Sequence, residues 1–327
     1  MKKLNMTLII PTLNRPNSLK ETVKTICCQE SVPSQIIVID QSKEIKIQRQ
    51  NQEIESFCSG LEYTYLFLKT PSSTRARNIG ILHAKEEIIV FLDDDVEVNN
   101  NTLENIYYLM KREEIAMIGV IDETLPLSKG KFGYIFNFKS IVNRKIGHVT
   151  LSMHGRYPNK IKGEVSTMWA MGFCFAVKRS LLDKWNIKFD EKLKGYAYAE
   201  DLDFTYSYYK SAKKENKRCI LSEKITVKHL ESREYRIPEI SATYRYVINR
   251  EYLAYKHGMK LENKVALVWS NFGQFLLRII QKTNPLDILK AQYRCIKIRK
   301  YLKEGIITPK FYEKNFEITQ FKKEIDE

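Results

Sequence analysis

The stretch IIVFLDDDVEVN, residues 88–99, runs five apolar residues straight into three aspartates. An uninterrupted apolar run of that length reads as a buried strand. Three like charges at the point where it surfaces repel one another. The triplet is therefore either a solvated cap on the strand or one wall of a site that holds a counter-charge. Carboxylates at i and i+2 of an extended segment point the same way, and hard divalent cations prefer oxygen ligands. Asp93 and Asp95 are thus candidates to share one cation.

Working outward, MTLIIPT (6–12), QIIVIDQS (35–42) and YTYLFLK (63–69) are further short apolar runs. Between and after them lie helical patterns: NSLKETVKTICCQ (17–29), RARNIGILHAK (75–85) and NTLENIYYLMKR (101–112). This alternation predicts an α/β domain with a mostly parallel sheet and helices on both faces. Ligands of such sheets bind outside the carboxyl ends of the strands. Pro11, Thr12 and Arg15 follow the first strand, Asp40 the second, and Asp93, Asp94 and Asp95 the fourth, all on one rim. Two independent strands delivering acid to one edge favour a site over a cap.

At 327 residues with 43% apolar content, the chain can bury a substantial core. Its six cysteines show no metal-ligand spacing and two are adjacent, a pattern of reduced thiols rather than of a disulfide framework. The apolar stretch before Pro11 is too short for a signal peptide, so the expected location is the cytoplasm. Of the formal net charge of +15, about +10 falls between Tyr244 and Lys303, where 13 Lys and Arg meet 3 acids.

Taken in order, seven segments resemble a family 2 glycosyltransferase with the A-type, Rossmann-like nucleotide-diphospho-sugar-transferase fold. They are LIIPTLNRPNSLKETVKTI (8–26), IIVIDQS (36–42), TRARNIGI (74–81), VFLDDDV (90–96), GFCFAVKRSLL (172–182), FDEKLKGYAYAEDLDF (189–204) and ITVKHLES (225–232). The resemblance covers about residues 4–260 and implies an inverting, metal-dependent transfer. A sugar would move from a UDP-, dTDP- or GDP-linked donor to a hydroxyl of a glycan or lipid-linked acceptor, in cell-surface polysaccharide or glycolipid synthesis. It implies that Pro11, Thr12 and Arg15 form the first nucleotide loop and that Asp40 accepts the imide N–H of a base. Arg75 and Arg77 would face the nucleotide and its phosphates, whose oxygens match guanidinium forks. Asp95 would hold Mn²⁺ or Mg²⁺, Asp93 would bind the metal or the ribose, and Asp94 would serve the ribose or support its neighbours. DQS (40–42) departs from the DNGS- or DGS-like turn frequent in the family.

The chemistry also needs a carboxylate facing the acceptor. By the same resemblance, Glu200 and Asp201 of YAEDLDF (198–204) are the family's ED pair, and Asp201 is the expected general base. Such acids also suit a helix N-terminus, which is compatible with catalysis. On a helix, Asp203 would diverge from Asp201. His229 is in phase with Ile225 and Val227, so it points inward from a strand. A core histidine is the plain reading there, and the resemblance implies a third metal ligand. His83, His148, His154 and His257 read as surface or helix residues. Trp169 and Gly172, in VSTMWAMGFCFAVKRS (165–180), go to the acceptor side with Glu200, core packing being the alternative for the indole. The weakly periodic segment from Leu125 to Gly163 reads as a loop over the acceptor site.

The expected organisation is a catalytic domain over 1–243 and a basic, amphipathic helical region over 244–327. The nucleotide-binding half takes about 1–120 and the acceptor-binding half about 121–243. YRYVINREYLAYKHG (244–258) resembles the helix after the catalytic domain in bacterial surface-polysaccharide glycosyltransferases, rhamnosyltransferase-like ones included. In KVALVWSNFGQFLLRIIQK (264–282), Ser270, Asn271, Gln274 and Arg278 interrupt an i, i+3, i+4 apolar rhythm, so it reads as amphipathic rather than spanning. Together with LKAQYRCIKIRKYLK (289–303), it would dock on the anionic inner face of the cell membrane, pack on the core, or pair subunits in a homo-oligomer. Nucleic acid is not an expected partner, since no zinc finger, aromatic RNP pattern or basic recognition helix is present. A nucleotide-sugar pyrophosphorylase would carry a glycine-rich loop after its first strand, and PTLNRPNS (11–18) has no glycine. A non-catalytic nucleotide-sugar binder is the other alternative, and the joint presence of Asp93, Asp95, Asp201 and His229 speaks against it.

Overall fold

Strand β1 (Lys2–Thr12) is the centre from which the first half of the protein is built. The computed structural model describes residues 2–125, 132–137, 141–142, 144–195, 197–232, 234 and 238–319. After β1 come α1 (Pro16–Cys27), β2 (Ser31–Asp40), α2 (Ile45–Glu53), β3 (Glu62–Phe67), α3 (Ser73–His83), β4 (Ile88–Leu92), β5 (Val96–Val98), α4 (Thr102–Met110) and β6 (Ile115–Asp122). Next are α5 (Phe132–Ile135), β7 (Ile141–Val142), β8 (His148–Val149), β9 (Gly155–Pro158), β10 (Glu164–Ser166), β11 (Cys174–Lys178), α6 (Arg179–Trp185), α7 (Glu200–Lys214) and β12 (Arg218–His229). Three long helices follow: α8 (Glu239–Lys256), α9 (Leu261–Ile280) and α10 (Leu286–Lys303).

Helix α1 illustrates how local sequence sets these elements. Pro16 opens it, where its missing N–H is no loss and its fixed φ suits the first turn. Leu19, Val23 and Ile26, at i, i+4 and i+7, are its buried apolar face. The main sheet runs β10-β12-β6-β11-β4-β1-β2-β3, with β5 paired to β12 off this path. Its first half, β3, β2, β1 and β4, is parallel throughout. Strand β11 enters antiparallel between β4 and β6, and β6 and β12 are again parallel. The sheet is thus parallel in the expected nucleotide-binding half and mixed beyond it. Both faces are covered: Ile88, Val90 and Leu92 of β4 join one apolar cluster, while Ile89 and Phe91 join the other.

The segment expected as a loop over 125–163 contains a small sheet, β7-β9-β8, with Tyr157 fully buried in it. Residues 126–131, 138–140 and 143 of that segment lie outside the described residues. Val247, Ile248 and Tyr252 of α8 and Ile288, Ala291, Cys295 and Ile298 of α10 belong to the same apolar cluster as one sheet face. No described helix is long and apolar enough to cross a membrane. Two histidines differ from expectation. His148 and His154 are buried, and the Nε2 of His154 lies 2.9 Å from Nη1 of the fully enclosed Arg250. His83 is exposed at the end of α3.

Candidate active site

Parallel register brings the ends of β1 and β2 together at Thr12 and Asp40, with the end of β4 beside them. Because β11 runs the other way, its beginning lies at this rim, and Phe173 O accepts from Asp93 N at 2.9 Å. Strand β12 ends there too: His229 pairs with Val96, one residue beyond Asp95.

Asp93, Asp95 and His229 converge, each offering a ligand atom within 4.8 Å of the others. Asp95 Oδ1 lies 3.2 Å from His229 Nε2. Its Oδ2 accepts from Ser232 N at 2.9 Å and from Arg15 Nη1 at 3.3 Å. Burial raises the Asp95 carboxyl, but the hydrogen bond and charge of His229 and the Ser232 amide outweigh it and leave the group below the usual carboxylate range. Burial lowers His229, and the bond to Asp95 more than offsets this, so its pKa is raised. Two carboxylates and an imidazole at this spacing fit Mn²⁺ or Mg²⁺.

Asp94 points elsewhere. It is buried, accepts from Thr12 Oγ1 at 2.7 Å and Arg15 Nη1 at 3.1 Å, and is pushed up to about 7 by burial. Its carboxylate is thus turned to the first loop, where it bonds Thr12 and Arg15. Pro11 lies within β1, opposite Ile39. Asp40 is fully buried, and Ser42 N, Asn51 Nδ2 and Tyr65 OH all donate to its carboxylate at 2.8–2.9 Å.

The two arginines of RARN part company. Arg75 is exposed. Arg77 is buried: Nη2 binds Asp93 Oδ1 at 2.8 Å and Nη1 binds Glu200 Oε1 at 2.9 Å. Its Nε has no partner among the described residues. Glu200 and Asp201 begin α7, where Asp201 Oδ2 accepts from Gly172 N at 2.8 Å. A Cβ on Gly172 would come within 3.0 Å of Asp201 Cβ, so the glycine is the seat of this carboxylate. Burial raises the Asp201 carboxyl, and it pushes Glu200 up to about 7 against the pull of Arg77. Trp169 takes the core alternative: it is buried against Gly155 and Tyr157, and its Nε1 donates to Arg156 O at 3.2 Å. Asp203 diverges along α7 and binds Lys256 Nζ at 2.7 Å and His257 Nε2 at 2.9 Å, tying α7 to α8.

Sequence reasoning missed three contributors. Asp122 Oδ1 accepts from His229 N at 3.2 Å; it ends β6, and the strand-end rule that found Asp40 would have found it. Ser232 gives its amide to Asp95. Glu234 accepts from Ser18 N, Ser18 Oγ and Asn17 Nδ2 at 2.6–3.0 Å, latching the segment after His229 onto the start of α1. No periodicity marks these last two.

Among known proteins, the chain is 25% identical over 290 residues to the poly(ribitol-phosphate) beta-N-acetylglucosaminyltransferase TarP of Staphylococcus aureus (strain N315), covering 87% of this chain and 82% of that one. Its fold is like that of GalNAc-T7 solved with UDP, GalNAc and Mn²⁺ (TM-score 0.55, 18% identity). That match covers 76% of this chain, which spans about half (51%) of that one. It is also like the mannosyltransferase PcManGT of Pyrobaculum calidifontis with GDP-Man and Mn²⁺ (TM-score 0.53, 15% identity, 93% and 85% covered). The model of the family described as glycosyl transferase family 2 matches residues 7–185, more than half of the sequence. The chain belongs to glycosyl transferase family 2, with the A-type glycosyltransferase fold.

Proposed function

We propose that this glycosyltransferase is inverting and metal-dependent, with Asp93, Asp95 and His229 as cation ligands and Asp201 as general base. The observation that carries this reading is the double bridge of Arg77, which joins the cation-side Asp93 to Glu200, the neighbour of Asp201, through one guanidinium. Donor-side and acceptor-side carboxylates therefore share one compact ionic network. The first loop, with Thr12 and Arg15 braced by Asp94, and the exposed Arg75 would take the nucleotide diphosphate.

In the reaction, an acceptor oxygen forms its bond to the anomeric carbon as the bond from that carbon to the diphosphate breaks on the opposite face, its electron pair leaving with the diphosphate. The acceptor proton passes to the carboxylate of Asp201, which the Gly172 amide holds in orientation. A bound divalent cation would offset the charge of the leaving group. Burial raises the pKa of Asp201 and makes it a stronger base than an exposed aspartate.

The relative that acts on poly(ribitol-phosphate) and the net charge of +15 together support a polyanionic polyol-phosphate acceptor of the cell surface. A thermal-shift panel of UDP-, dTDP- and GDP-sugars with and without Mn²⁺ identifies the donor. Transfer assays on poly(ribitol phosphate) and on neutral glycans then test the acceptor. Asp201→Asn is expected to keep donor binding while transfer falls by about 10²–10⁴-fold. Equal loss of donor binding would overturn the general-base role.

A further inference from the structure

Helix α10 is apolar on both faces. Its inward face, with Ile288, Ala291, Cys295, Ile298 and Leu302, is buried. Its outward face carries Leu286, Leu289, Tyr293 and Ile296, each about half exposed. Interleaved with them are the exposed Lys290, Lys297, Lys300 and Lys303. The helix's one acid, Asp287, is buried, so within α10 itself no exposed acid balances the lysines. A helix that faces water normally mixes both signs and keeps its apolar residues to one stripe. Here the second stripe is apolar and purely cationic. Ile279 and Ile280, exposed at the end of α9, and Lys282 beyond them add the same chemistry on the other side of the turn.

Elsewhere an exposed apolar residue of α9 finds partners within the chain: Trp269 stacks on Phe136 at 4.7 Å and donates to Ile135 O at 3.0 Å. Nothing comparable is recorded for the outward apolar residues of α10 among the described residues, apart from Lys297 Nζ lying 5.1 Å from the centre of the Tyr293 ring. We infer that the outward face of α10 is a docking surface for an anionic lipid bilayer, its apolar side chains entering the acyl boundary while its lysines reach the headgroups. Charge selects this occupant. A second copy meeting the face about a twofold axis would bring lysine against lysine, and a soluble polyanion would leave Leu289 and Ile296 in water. A negatively charged interface satisfies both at once. The inference is independent of the sugar chemistry proposed above.

Flotation of the full chain with phosphatidylcholine vesicles, with or without phosphatidylglycerol, tests it. Binding is expected only with the anionic lipid and is expected to be lost in high salt. Lys290→Glu/Lys297→Glu/Lys300→Glu should lower the partition coefficient by more than about tenfold. Leu289→Ser/Ile296→Ser should lower it as well, with the melting temperature unchanged in both variants. If a variant is destabilised, the salt and lipid dependence of the unaltered chain decides the matter. Absence of flotation, or equal binding to neutral vesicles, overturns the inference. A changed sedimentation mass in the Leu289/Ile296 variant without flotation would assign the face to a second copy. Polyphosphate binding that only the lysine variant loses, again without flotation, would assign it to a soluble polyanion.

Discussion

Two buried arginines divide the molecule. Arg77, at the rim of the sheet, is held between two carboxylates. Arg250, where α8 meets α9 and the turn before β9, is equally enclosed, yet among the described residues none of its hydrogen-bond partners is a carboxylate. Its partners are Tyr246 O, Ser152 O, Ser270 Oγ, a neutral His154 and Asn271 Oδ1, and its guanidinium carbon lies 4.0 Å from the centre of the Tyr246 ring. Burial, aided by Arg250, pushes His154 well below its ordinary pKa, so the imidazole is free to accept. At the rim, charge is concentrated and kept in balance by charge. At the junction, a lone cation is dispersed over neutral oxygens and a ring. A cation arriving at the rim would perturb the first arrangement, whereas the second only joins elements.

That contrast can be broken at several points. The largest effect is expected from Asp95→Ala, which removes the anion shared by His229, Ser232 and Arg15. Direct Mn²⁺ titration should show binding lost, and transfer should fall by more than about 10³-fold. Arg77→Met would leave Asp93 and Glu200 unpaired, costing about 3–5 kcal/mol in denaturant unfolding. Added Mn²⁺ should return part of that stability, because a cation bound to the folded state alone stabilises it. Arg250→Met is expected to cost less, about 2–3 kcal/mol, since it orphans only neutral acceptors. Mn²⁺ should restore none of it, and a restoration as large as that of Arg77→Met would erase the distinction between the two regions. Gly172→Ala crowds Asp201 and should lower kcat by about tenfold with donor affinity unchanged.

The pH profile gives the finest test. Asp201 must be unprotonated to act, and burial raises its pKa. Activity at saturating donor and cation should therefore fall as pH drops through a value above the ordinary carboxylate pKa of about 3.9. A limb at or below that value would show that burial does not govern the base.

The rim was legible because alternation of strand and helix fixes which chain ends meet. Apolar runs ended by Thr12, Asp40 and Asp93 to Asp95 brought those residues to one edge, and the phase of His229 with Ile225 and Val227 pointed it inward. What stayed hidden was partnership across long stretches of chain. Periodicity gives the direction of a side chain and not its neighbour, so Arg77 was placed on phosphates when Glu200, 123 residues away, takes one of its arms. The enclosure of Asp40 by Asn51 and Tyr65 and the packing of Trp169 on Gly155 are of the same kind. Each depends on the distance between elements, which no one-dimensional pattern records.

The reversal of β11 has a further consequence. A parallel strand delivers to the rim whatever follows it, whereas β11 delivers whatever precedes it. Gly172 and Phe173 therefore reach Asp201 and Asp93 from upstream, while the first loop and the aspartate triplet arrive from downstream of β1 and β4. The two halves of the site are consequently anchored from opposite directions along the chain. A change of length upstream of Cys174 therefore has to keep the Gly172 amide on Asp201 and the Phe173 carbonyl on Asp93.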